Sequence, residues 1–318
     1  MPFGLRPFAF KTTRGRLALL AVLWGSTPVM VHAQGVADSL PLHLFAYDRA
    51  APVALRDSLR TTDADGVAVY AVSFASPRGG RATGLLCVPP GGGPFAGILL
   101  QHGMPGNAEQ TLVAARNLAR HGAVVLSLDA PWARRGGRVI AFTPQDSADQ
   151  VQLITDMQRG VDVLVARHDV DPARLAYVGV SYGGAMGALL AGVERRLKTY
   201  ILAVGDGGLV SHFTGADDPP DGPFGVSRER WQRWLAAMRP IEPLRFVGRA
   251  APASIFFQSG RQDRLVPPPD ALWLQRAGSE PKTVKWYDAG HGLGPQARID
   301  QLEWLHRAVG TASPARAR

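Results

Sequence analysis

From about Thr61 onward the apolar positions of the chain follow two alternating periods. Short β-rich apolar runs at residues 67–74, 82–88, 96–101, 123–128, 175–180, 199–204, 254–258 and 283–287 predict eight strands. Between them, apolar residues recur at helical spacing over 108–121, 147–168, 182–195, 228–238, 270–277 and 296–309. The first two strands are separated by Ser76-Pro-Arg-Gly-Gly80, a hairpin-like turn signal, which makes that opening pair antiparallel and leaves the remainder parallel. Continuous runs such as Ala96-Gly-Ile-Leu-Leu100, set between amphipathic helices, are what a sheet covered on both faces requires. The pattern therefore predicts an α/β fold: an eight-stranded, mostly parallel sheet with helices on both faces.

One stretch breaks the alternation. Residues 205–251 carry Gly205-Asp-Gly-Gly208, then Asp217-Asp-Pro-Pro-Asp-Gly-Pro223, then one helix bearing Trp231 and Trp234. This reads as a small insertion after the sixth strand, lying over one edge of the sheet. A solvent-exposed excursion is the plain alternative, but long loops inside compact domains tend to serve function. Residues 34–60 form an N-terminal extension, 61–311 the main domain, and 312–318 a tail expected to be disordered. At the N-terminus, Arg6, Lys11, Arg14 and Arg16 precede the apolar run Leu17–Trp24, and Val31-His32-Ala33 supplies a small-residue cleavage site. The run is broken by Gly25, Ser26 and Pro28, too soon for a spanning helix, which needs about 20 apolar residues. Residues 1–33 are thus expected to be a signal peptide, giving a secreted or periplasmic protein with no membrane span after cleavage.

Composition narrows the class further. With 46% apolar and 19% charged residues, 318 positions suffice for a substantial core, and the single Cys87 permits no intrachain bridge. The net charge of +9 is concentrated at the N-terminus; removal of residues 1–33 leaves 285 residues at +5. No Lys/Arg cluster is interleaved with aromatics, so nucleic acid is not an expected partner. No H-E-x-x-H, paired C-x-x-C or G-x-x-x-x-G-K occurs, so no metal, nucleotide or other cofactor is expected. No pattern sets an oligomeric state.

The chemistry starts at Gly179-Val-Ser181-Tyr-Gly183, a G-x-S-x-G entered from a strand and left by a helix. A Gly/Ser turn can match those letters by chance; the strand-turn-helix setting separates the motif from that reading. A serine hydroxyl is a weak nucleophile until a base takes its proton, so a histidine and an orienting carboxylate are required. His291, in Asp288-Ala-Gly-His-Gly-Leu293, follows the last strand, and Asp263 follows the strand before it. The order Ser181, Asp263, His291 is the one this arrangement uses. His102, His121, His168 and His212 are competing bases; Asp288 and Asp206 are competing acids. Gln101–Gly106 follows the third strand, and the N–H of Met104 or Gly103, with that of Tyr182, would hold an oxyanion. Pro105 has no N–H and is excluded.

The run Asp171-Pro-Ala-Arg-Leu-Ala-Tyr-Val-Gly-Val-Ser181-Tyr-Gly-Gly184, with Gly260-Arg-Gln-Asp263 and Ala289-Gly-His291-Gly292, resembles the α/β-hydrolase superfamily. It looks closest to the dienelactone hydrolase and prolyl-oligopeptidase-like branch of serine esterases, over residues 67–309. The residue at the nucleophile position is Ser, whereas dienelactone hydrolase uses Cys. The resemblance implies Ser181 as nucleophile, His291 as general base, Asp263 as its orienting acid, and Met104 and Tyr182 as oxyanion amides. Trp132 and His102 are candidate pocket residues, His102 chiefly as a residue that fixes its loop; Arg134 or Arg135 is a candidate carboxylate holder. The expected activity is hydrolysis of carboxylic esters through an acyl-serine intermediate, with a small-molecule ester as the expected partner. The alternatives are an exported serine peptidase or amidase on the same scaffold, and a non-catalytic binding module.

Overall fold

The computed structural model describes residues 39–136, 138–215 and 219–314. The expected signal peptide and its cleavage site lie outside the described residues, as do the last four residues of the tail. The described residues from Leu40 onward belong to one folded unit.

The sheet has nine strands: β1 (Arg56–Thr62), β2 (Ala68–Ala75), β3 (Arg81–Val88), β4 (Phe95–Gln101), β5 (Ala123–Leu128), β6 (Val170–Val180), β7 (Thr199–Ala203), β8 (Ser254–Gly260) and β9 (Lys282–Tyr287). Their order is β1-β2-β3-β5-β4-β6-β7-β8-β9. The pairs β1/β2, β2/β3 and β3/β5 are antiparallel, while β4 through β9 run parallel to one another. The expected count of eight is corrected by β1, which adds an edge strand from the N-terminal extension. All seven of its residues, Arg-Asp-Ser-Leu-Arg-Thr-Thr, are exposed, so the apolar alternation that reveals a half-buried strand is absent there. Charged side chains on such an edge also discourage pairing with another chain.

Among the described residues eight α-helices accompany the sheet: α1 (Leu112–Arg120), α2 (Pro131–Arg135), α3 (Pro144–Val165), α4 (Tyr182–Val193), α5 (Leu209–Thr214), α6 (Arg228–Met238), α7 (Pro268–Ala277) and α8 (Gly294–Val309). Alternation along β4 divides the core. Ile98 and Leu100 pack with Ala115 and Leu118 of α1 and Leu302 and Leu305 of α8 on one face. Leu99 packs with Leu153 and Ile154 of α3 and with Met186 and Leu189 of α4 on the other.

The segment between β7 and β8 stands against α3 and α4, over that second face, and not over an edge of the sheet. The reason is topological: β7 and β8 are neighbours inside the sheet, so a chain excursion between them rises from its face. Trp231 and Trp234 are fully buried and stacked, with ring centroids 4.9 Å apart. Trp234 donates from Nε1 to Asp146 Oδ2 at 2.8 Å. Asp146 also closes a capping box with Thr143 at the start of α3, so one carboxylate joins the cap to the segment.

Candidate active site

Every residue of the expected site lies just beyond the C-terminal end of a parallel strand. His102 to Met104 follow β4, Ser181 follows β6, Asp206 follows β7, Asp263 follows β8 and His291 follows β9. In open α/β sheets this rim is where the crevice forms and the loops carry chemistry.

Ser181 sits between β6 and α4 with φ 56° and ψ −120°, a conformation an L residue adopts only when its surroundings enforce it. The flanking glycines are part of that enforcement. A Cβ at Gly179 would run into the Gly183 carbonyl, and one at Gly183 into the carbonyl of Gln101. The close approach of β4, β6 and α4 at this turn is therefore open only to glycine. The Ser181 N–H donates to Ala203 O at 2.8 Å, which ties the turn to β7.

His291 and Asp263 form a pair, with Nδ1 2.8 Å from Oδ2. Asp263 accepts from the Leu265 and Val266 N–H groups through Oδ1, at 2.9 and 3.0 Å, and its side chain is only 1% exposed. With a carboxylate oxygen as its partner, Nδ1 of His291 is the donor of the pair, and Nε2 bonds to no described residue. The competing acid Asp288 is instead exposed and paired with Arg261.

The other histidines are placed differently. His102 is buried, with Nδ1 2.8 Å from Gly103 O and Nε2 accepting from Ala130 N at 3.1 Å; burial pulls its pKa down. Nδ1 is spent within the β4 loop, and Nε2 joins that loop to the one after β5. His121 caps α1 through Asn117 O, and His168 is exposed ahead of β6. His212 and Asp206, read from the sequence as a competing base and a competing acid, are bonded to each other, Nδ1 to Oδ2 at 2.8 Å.

A cavity of about 50 Å³ opens at Ser181, lined by Met104, Tyr182, Ala185, Asp206, Gly208, Leu209, His212, Leu265 and Val266. Met104 and Tyr182, the expected oxyanion residues, thus border Ser181. The Tyr182 N–H belongs to the first turn of α4 and has no intrahelical partner, and the Met104 N–H donates to no described residue. Trp132 and His102 do not line this cavity. Trp132 is buried behind it, edge-on to Tyr182 at 4.9 Å and to His102 at 6.1 Å, so both residues support the wall. Nor do the arginines of α2 line it: Arg134 pairs with buried Asp156 and Arg135 with Asp149.

Two contributors were not foreseen. Asp129 accepts from Ala108 N and Thr83 Oγ1, at 2.9 and 2.6 Å, and so anchors the turn beyond the Met104 loop. The start of α5 brings Gly208 and Leu209 into the cavity; the sequence signal was the Gly-Asp-Gly-Gly run at a strand end. Val204, just past β7, has φ 46°, an unfavourable conformation for a β-branched residue, and its N–H is held by Gln258 O at 2.7 Å.

A nine-stranded mixed sheet whose parallel strands end on one rim, covered by helices on both faces, is the α/β-hydrolase fold. The chain belongs to the prolyl oligopeptidase family, peptidase family S9, whose model matches residues 146–310. Among curated proteins it is similar to the uncharacterized peptidase YuxL of Bacillus subtilis (strain 168), 26% identical over 164 residues, 47% of this chain and 24% of that protein. The chain thus spans about a quarter of that relative's length. Its fold is similar to the acetyl xylan esterase from Paenibacillus sp. R4, with TM-score 0.67 and 20% identity over 81% of this chain and 89% of that one. It is similar also to a putative dienelactone hydrolase from Klebsiella pneumoniae, with TM-score 0.53 and 16% identity over 76% and 98% of the two chains.

Proposed function

We propose that this chain is an exported serine hydrolase that cleaves carboxylic esters of small acyl groups through an acyl-Ser181 intermediate. The observation that carries the reading is the Asp263–His291 pair, 2.8 Å apart, on the strand-end rim that also bears the strained Ser181. Ser181 Oγ attacks the ester carbonyl while His291 Nε2 takes its proton, and the C–O⁻ that forms is held by the Met104 and Tyr182 amides. Collapse breaks the bond to the alcohol oxygen, which receives the proton from His291. Water then adds to the acyl carbon with His291 again as base, releasing the acid and restoring Ser181. Asp263 holds the imidazole in the tautomer that this cycle needs.

Three considerations support an ester over an amide: an alkoxide leaves more readily than an amine anion, the cavity admits only a few heavy atoms, and acetyl xylan esterases share the fold. Export is supported by the basic and apolar pattern of residues 1–33 and is checked by the N-terminus of secreted protein, expected at Gln34. A serine peptidase or amidase is the second reading, favoured by the family match.

Hydrolysis of p-nitrophenyl esters from acetate to palmitate, beside aminoacyl anilides, separates the readings. The expected result is turnover of short esters with a burst of about one nitrophenolate per chain, lost in Ser181→Ala. Turnover confined to anilides would favour the peptidase; no turnover of either by folded protein would favour a binding role.

A further inference from the structure

The cavity at Ser181 is apolar along most of its wall, formed by Met104, Ala185, Leu209, Leu265 and Val266. The exception is a second His–Asp pair. Asp206 Oδ1 accepts from Gly208 N at 3.1 Å, and Oδ2 is 2.8 Å from His212 Nδ1. With one oxygen fixed by backbone and the other by the ring, the imidazole is held in one orientation. The proton of the pair lies on Nδ1, and His212 Nε2 bonds to no described residue. The ring is one-third exposed and borders the same small space as the serine hydroxyl.

We propose that His212, oriented by Asp206, is a specificity-determining residue that hydrogen-bonds a hydroxyl group of an uncharged substrate lodged at Ser181. The inference rests on the reading of Ser181 as nucleophile and goes beyond it by naming what the remainder of the cavity recognises. The hydrogen bond to Asp206 favours the protonated ring against the opposing effect of burial, and Asp270 and Glu242 add to the negative surroundings. Nε2 then donates, and when the ring is neutral it accepts. A hydroxyl does both and is satisfied in either state. A carboxylate on the substrate would meet the field of Asp206 and Asp270. An ammonium would find no acceptor in the ring whenever the ring is protonated. A site built to bond a hydroxyl discriminates against the analogue that lacks it, because its own polar group is then left unpaired.

The test compares matched neutral esters. Ethyl 3-hydroxybutyrate against ethyl butyrate places the hydroxyl on the acyl side; glyceryl monoacetate against propyl acetate places it on the alcohol side. Wild-type protein is expected to favour the hydroxylated member of one pair in kcat/KM, and the pair concerned tells which side of the ester faces His212. His212→Leu is expected to shrink that preference about tenfold. Asp206→Ala, which removes the carboxylate that holds the ring, is expected to shrink it in the same direction. Ser181 labelling by a fluorophosphonate reports whether each variant retains a folded, reactive site; if His212→Leu fails to label, the Asp206→Ala ratio decides. No hydroxyl preference in wild type, or a preference that survives in a labelled variant, overturns the proposal. So does an equal loss on both members of a pair, which would make His212 the general base. Turnover retained by Ser181→Ala would instead sink the underlying reading of the nucleophile.

Discussion

At the scale of single residues, burial and hydrogen bonding assign different tasks to chemically similar groups. Cys87 is fully buried and burial pushes its thiol up to about 11, so it is inert toward thiol reagents in the native protein. Glu242 is more informative. It accepts from Val210 N, Ser211 N and Ser211 Oγ at the start of α5, yet burial outweighs these donors and pushes its pKa from 4.5 up to about 7. Between those values the folded chain keeps a proton that the unfolded chain has released. Stability therefore falls as pH rises through that window and levels off above about 7. The raised pKa of His212 works in the same direction, its contribution being lost as pH rises through the folded value. Denaturant titrations of wild type and Glu242→Gln between pH 5 and 8 isolate the carboxyl. The wild type is expected to lose roughly 2–3 kcal/mol more than the variant across that range. Parallel losses in the two proteins would show that Glu242 does not hold the proton.

At the scale of elements, the turn from β6 into α4 and the segment between β7 and β8 carry the energetic weight of the site. Gly183→Ala would drive a Cβ into the Gln101 carbonyl, moving β4 and with it the Met104 loop. Activity is expected to fall by at least tenfold with a lowered melting temperature; a fully active, equally stable variant would contradict the packing described. Trp234 is buried against Trp231 and bonded to Asp146 at the cap of α3. Trp234→Ala is expected to cost about 3–5 kcal/mol in denaturant unfolding, as other large buried truncations do. A loss under 1 kcal/mol would mean the segment docks without this anchor.

At the scale of the whole molecule, what was legible in the sequence depended on burial. Strands β2 to β9 announce themselves because each has residues facing a core, while β1 is exposed along its length and carries no periodic signal. The six longer helices were visible by their apolar spacing, but α2 and α5, five and six residues long, are too short to show a period. The placement of Ser181, Asp263 and His291 beyond strand ends was readable because glycines and strand patterns frame them. The pairing of His212 with Asp206 was not, since it depends on how the segment after β7 folds back. Trp132 and His102 looked like pocket residues from their loops, yet packing turns both inward. The position of a loop in sequence fixes which strand end it leaves and not which side chains face the opening.

The proposed mechanism stands on Ser181 acting with His291 and Asp263. Its most direct test is the site and rate of fluorophosphonate modification, read by peptide mass analysis in wild type and His291→Ala. The expected result is one equivalent of label on Ser181, added about 10⁴-fold more slowly in the variant. Label on any other residue, or modification of His291→Ala at the wild-type rate, would contradict it.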